Sequence, residues 1–133
     1  MAESTNHSAL VQTIIRYIGK EHSHCGVLHD LPSAIGSEKP SRIGGFVPDV
    51  YAFDAPLTTI IIGEAKTRND LETERSRKQI SAFLSFLGLQ ATGIFILAVP
   101  WHLKRSAAAF VESIRAETGT TSVKTVMLDD VGM

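Results

Sequence analysis

Asp49, Glu64 and Lys66 are the residues of this chain whose types and spacing best suit chemistry. Pro48-Asp49 is followed, after a gap of fourteen residues, by Glu64-Ala65-Lys66. The two segments read as neighbouring strands of a hairpin. Side chains alternate across a strand, so Glu64 and Lys66 point to one face and Ala65 to the other. Asp49 meets them if the preceding strand pairs in the matching register. Two carboxylates and an amine converging where water has access suit divalent-metal-assisted hydrolysis of a phosphodiester.

The chain that must position them has 133 residues, which predicts one domain over 1–133 with enough length to bury a core. It is 44% hydrophobic and 20% charged, a balance ordinary for a globular protein. No apolar run has the length needed to cross a bilayer. The N-terminal stretch MAESTNHSALVQTII lacks the basic segment and apolar run of a secretory signal. Cys25 is the single cysteine, which excludes an intrachain disulfide and fits a reducing cytoplasm. A net charge of −1 argues against general coating of nucleic acid, a task for basic proteins. Local basic patches can still grip phosphate: Arg68, Arg75, Arg77 and Lys78 follow the Glu-Ala-Lys segment, and Lys104-Arg105 form a second cluster.

The surrounding pattern supplies the elements. Leu10, Val11, Ile14, Ile15 and Ile18 fall on one stripe of a helix over Asn6–Ile18, with Thr5 or Asn6 as its cap and Gly19 as its exit. Val27–Leu31 reads as a short strand. Pro32–Gly45 is a loop ending in Gly44-Gly45, and a loop of this length in a small domain is often functional. Phe46–Phe53 reads as a strand carrying Asp49, Asp54–Leu57 as a turn, and Thr58–Lys66 as a second strand whose isoleucines imply burial on both faces. Asn69-Asp70-Leu71-Glu72 has the form of a capping box, with Asn69 as cap, opening a helix with core residues Ile80, Phe83, Leu84 and Leu87. Gly93–Val99 is apolar throughout, as in a strand covered on both sides. A third helix is predicted over His102–Thr118, with Gly119 ending it, and a last strand over Thr121–Leu128. The order α-β-β-β-α-β-α-β, a hairpin followed by two crossover helices, predicts an α/β fold with a mixed central sheet flanked by helices.

Pro48-Asp49, the gap, Glu64-Ala65-Lys66 and a following helix containing Gln79 resemble the PD-(D/E)xK nuclease superfamily. That group includes restriction endonucleases, Holliday-junction resolvases and RecB-type nuclease domains. The resemblance covers about Asn6 to Val99. It implies a restriction endonuclease-like αβββαβ core, with the last helix and strand as a C-terminal addition. It also implies that Asp49 and Glu64 hold Mg²⁺, with Mn²⁺ able to substitute, and that the Ala65 carbonyl completes the shell. Lys66 then orients or deprotonates the attacking water and stabilises charge on the phosphate. Gln79 matches a polar position that members often carry on the helix after the Glu-x-Lys segment. Many members also place a glutamate on the first helix. Here Glu3 precedes the helix and His7 lies on its inward stripe, so one of these substitutes for it or the site lacks the group.

Each of these residues also has a plainer role open to it. Asp49, Glu64 and Lys66 suit solvated strand ends, Gln79 the margin of a core, and His7 a half-buried helix start. His22, His24, Cys25 and His29 are all zinc-ligating types, yet their spacing matches no closed structural site. Trp101 suits either stacking on a base or covering the sheet edge. Arg75, Arg77 and Lys78 suit pairing with Glu72 and Glu74 across helical turns. Lys39 and Arg42, in the loop before Asp49, and Arg68 are the candidates for touching substrate phosphate.

Two functions are therefore expected to compete. One is a metal-dependent endonuclease hydrolysing DNA, structure-dependent or defence-related, acting as a homodimer or within a larger nuclease assembly. The other is a non-catalytic nucleic-acid-binding or assembly module on the same fold. RNA as substrate has no aromatic platform in its favour.

Overall fold

The computed structural model describes residues 5–31 and 39–131. Helix α1 spans Thr5–Glu21, strand β1 Gly26–His29, β2 Val50–Phe53 and β3 Thr59–Ala65. Helix α2 spans Glu74–Leu87, β4 Thr92–Val99, α3 Lys104–Thr118 and β5 Lys124–Asp129. The five strands form one sheet in chain order. β1, β2 and β3 pair antiparallel, and β3, β4 and β5 pair parallel. The parallel steps require crossovers, which α2 and α3 provide. This is the mixed sheet flanked by helices that the element order predicts, with α3 and β5 as the C-terminal addition.

Each face of the sheet has its own core. Leu10, Val11, Ile14 and Ile18 of α1 pack on Val50, Ala52, Ile61, Ala65, Ile94, Ile96 and Ala98. On the opposite face, α2 and α3 bring Ile80, Phe83, Leu84, Leu87, Ala107, Val111 and Ile114 onto Ile60, Ile62, Phe95, Leu97 and Val99. Burial on both sides is why β3 and β4 read as unbroken apolar runs. Each fully buried Val, Leu, Ile or Phe among them contributes about 1.5–3 kcal/mol by leaving water. At Gly63, a Cβ would stand 2.7 Å from Ile14 Cγ2. The glycine thus lets α1 lie close against β3, immediately before Glu64.

Several boundaries depart from the sequence expectation, each for a local reason. β2 begins at Val50, not at Phe46. Ile43 and Phe46 bond each other instead, N to O at 2.7 and 3.1 Å, around Gly44 and Gly45 at φ +60° and +90°. Asp49 therefore sits one residue ahead of β2. Helix α2 starts at Glu74 with Thr73 as its cap, whose Oγ1 accepts from Ser76 N at 3.1 Å. Asn69 is not the cap, because Asp70 organises the preceding loop. Its carboxylate accepts from Thr67 N (2.7 Å) and Thr67 Oγ1 (3.1 Å), and its carbonyl accepts from Ser76 Oγ. Such side-chain bonds offer the backbone an alternative to helix. A 3₁₀ turn at Trp101–Leu103 precedes α3, and the first and last strands are each displaced by a few residues from the predicted spans. Among the described residues, no helix is long and apolar enough to cross a membrane.

Candidate active site

Glu64 and Lys66 come to one spot because β3 sends Ile62 and Glu64 to the α2 face, and Lys66 continues that alternation. Lys66 N donates to Ala98 O at 3.0 Å, which extends the pairing with β4 one step beyond the end of β3. The turn of chain before β2 then brings in Asp49. Asp49 N donates to Glu64 Oε1 at 2.8 Å, and Ala65 N donates to Asp49 Oδ2 at 2.9 Å. Each acidic residue is thus held by the backbone of the other's segment. Asp30 N adds a bond to Asp49 O at 2.9 Å, fixing the same stretch to the exit of β1.

The amine and its neighbours complete the cluster. Lys66 Nζ lies 3.6 Å from Glu64 Oε2 and donates to Gln79 Oε1, on the second turn of α2. His7 Nε2, from the first turns of α1, lies 3.2 Å from Asp49 Oδ2. Glu64 is 2% exposed, and Lys66 and Gln79 are also buried, whereas Asp49 and His7 are partly open to solvent. Burial, reinforced by the nearby Asp49 carboxylate, pushes the Glu64 carboxyl well above the ordinary carboxylate range. Lys66, the Asp49 N–H and His7 pull in the other direction with less effect.

Asp49, Glu64, Lys66 and Gln79, separated by up to thirty residues of sequence, therefore converge. His7 joins them, while Glu3 lies outside the described residues. Of the proposed substrate-touching residues, Lys39 is near the rim: its Nζ lies 4.0 Å from Asp30 Oδ1. Arg42 turns back on its own loop, donating to Gly45 O at 3.0 Å, and lines a separate hollow with Tyr51 and Phe86. Arg68 is exposed on the loop after β3. Residues 35–38 of the loop before Asp49 are outside the described residues.

Other expectations are corrected. Arg77 does not pair with Glu72 or Glu74. It donates to Glu117 Oε1 of α3 at 2.8 Å and covers the Phe110 ring at 5.1 Å, while Arg75 lies 5.3 Å over Phe46. Their partners come from other elements, which helical spacing alone does not reveal. Trp101 does not cover the sheet edge: it is 63% exposed, its backbone N held by Asp130 Oδ1 at 2.8 Å. Asp30 and Asp130 carry no signal in the sequence, since their roles depend on segments distant in the chain coming together.

Among the described residues, no group of three or more His, Cys, Asp and Glu side chains is placed to hold a metal ion. A magnesium-type ion requires less, one or two carboxylates with water completing its shell. Asp49 and Glu64 supply two hard oxygen donors side by side, and a cation between them would offset the Asp49 repulsion that adds to burial in raising the Glu64 carboxyl. The donor chemistry fits such an ion. Comparison with protein-family models, curated proteins and solved structures gives no significant match to this chain.

Proposed function

We propose that this protein is a metal-dependent deoxyribonuclease of the PD-(D/E)xK type, with Asp49, Glu64 and Lys66 as its catalytic residues. The observation that carries the proposal is the buried Glu64 carboxylate set between the Asp49 carboxylate and the Lys66 amine, at the end of β3. Burying an acid and an amine beside a second, half-buried acid costs stability that an apolar cluster would not. Such arrangements concentrate at functional sites.

In this scheme Asp49 and Glu64, with the Ala65 carbonyl, would hold Mg²⁺ or Mn²⁺. A bound divalent ion supplies an activated water and a polarised phosphodiester. Lys66 orients the attacking water and stabilises charge as it develops on the phosphate oxygens. Gln79 holds the Lys66 amine in place from α2. His7 steadies Asp49 from α1, taking the place where many members of the superfamily carry a glutamate. Lys39 and Arg68, at the margins, are the candidates for gripping DNA phosphates. Cutting both strands of a duplex calls for two such sites, which a symmetric homodimer provides.

One observation favours a non-catalytic binding module instead. Glu64 Oε1 and Asp49 Oδ2 already accept backbone N–H groups, as in a purely structural cluster. The variant Lys66→Met separates the two functions. For a nuclease, calorimetric titration shows Mn²⁺ binding to the wild type and to Lys66→Met, while DNA cleavage falls by several orders of magnitude in the variant. Absence of Mn²⁺ binding and of cleavage in the wild type moves the assignment to the binding module.

A further inference from the structure

The loops that leave β3, β4 and the end of β5 line an open cleft of about 550 Å³ against the start of α1. Thr67, Arg68 and Asn69 form one wall, Pro100, Trp101 and His102 another, with Asp130 and the start of α1 closing it. This is the carboxyl end of the parallel strands, where open α/β sheets bind ligands. The cleft is continuous in chain with the cluster on two sides. Thr67 follows Lys66 directly, and Asn6 precedes His7.

Its chemistry is mixed in a particular way. Trp101 offers a largely exposed indole on the rim, with the His102 ring 5.7 Å away edge-on. The Asp130 bond to its backbone N fixes the turn that presents it. Arg68 supplies positive charge, and Asn6 and Asn69 supply amides. The loop carrying Arg68 and Asn69 is itself braced by the Asp70 bonds to Thr67. An exposed aromatic face, a guanidinium and amides in one cleft match a nucleotide: base, phosphate and base edge. A paired base inside a duplex cannot offer its face to an indole. Trp101 lies three residues beyond Ala98, the residue bonded to Lys66, and so at most ~11 Å from it along the chain.

We infer that this cleft binds an unpaired nucleotide of the DNA strand, its base stacked on Trp101 and its phosphate on Arg68. The site would thereby favour single-stranded or flapped DNA over blunt duplex. The inference rests on the nuclease assignment, but its readout does not. Trp101 is the only tryptophan of the chain, so its fluorescence reports this cleft alone. In EDTA, where no cutting occurs, a short oligothymidylate is titrated into the wild-type protein, and a blunt hairpin duplex into a second sample. Saturable quenching by the oligothymidylate and little by the duplex is expected. Anisotropy of the labelled oligothymidylate should show binding about five- to a hundredfold weaker for Trp101→Ala, with most of it recovered in Trp101→Phe. Equal quenching by the duplex, or oligothymidylate binding without quenching, overturns the inference, as does no binding at all. Quenching in a protein that never cuts DNA would sink the nuclease assignment and leave the cleft assignment standing. Cutting without quenching does the reverse.

Discussion

Glu64 is the residue at which fold and chemistry pull against each other. Its carboxyl is pushed well above the ordinary range by burial and by Asp49. The fold therefore binds a proton that the unfolded chain releases. The stability this contributes is fully present below the ordinary carboxyl value of 4.5 and is lost as pH rises towards the raised value. Urea titrations across pH should show the wild type losing stability relative to Glu64→Gln, by at most ~1.4 kcal/mol per pH unit in that window. A pH-independent difference between the two would contradict the placement of this charge. A cation that needs the ionised form competes with the proton. Mn²⁺ should accordingly raise the wild-type melting temperature, more strongly at higher pH, and leave Glu64→Gln unmoved; equal shifts would place the ion elsewhere. The types and spacing of Asp49, Glu64, Lys66 and Gln79 were legible in the chain because strand alternation and helix position are local rules. Their mutual bonds were not, since the Asp49 N–H to Glu64 contact depends on where β2 begins.

At the scale of elements, the approach of α1 to β3 decides where His7 stands relative to Asp49. Gly63 permits that approach, and Gly63→Ala would drive a methyl into Ile14. The expected cost is about 1–3 kcal/mol in urea unfolding, because neither the helix nor the sheet has slack on this face. An unchanged midpoint would mean that α1 is loosely seated. The helices and buried strands were readable from the chain because their apolar periods are long and uninterrupted: Ile80, Phe83, Leu84 and Leu87 define α2, and Gly93–Val99 defines β4. The misplaced boundaries fall where side chains override the period. Asp70 bonds Thr67 and so delays the start of α2 to Glu74, and the Ile43–Phe46 bridge closes a turn that hydrophobicity presents as the start of a strand. The pairing of Arg77 with Glu117 was illegible for a different reason: it joins two helices whose contact only the folded sheet creates.

For the molecule as a whole, chain order and sheet order coincide, so the fold follows from the sequence of hairpin and crossovers. That topology gathers the ends of β3, β4 and β5, the start of α1 and the acidic cluster at one end of the sheet. With a net charge of −1, the proposed affinity for DNA would have to come from this end and not from a general positive field. The proposed activity is the cutting of DNA by this cluster with the help of a divalent ion. The most direct measurement incubates the wild type and Glu64→Ala with labelled duplex, single-stranded and four-way-junction DNA, with and without Mn²⁺, after confirming by circular dichroism that the variant is folded. Cleavage that requires Mn²⁺ and is abolished in Glu64→Ala is the predicted result. Cleavage that survives in the folded variant, or no cleavage of any substrate by the wild type, would contradict it.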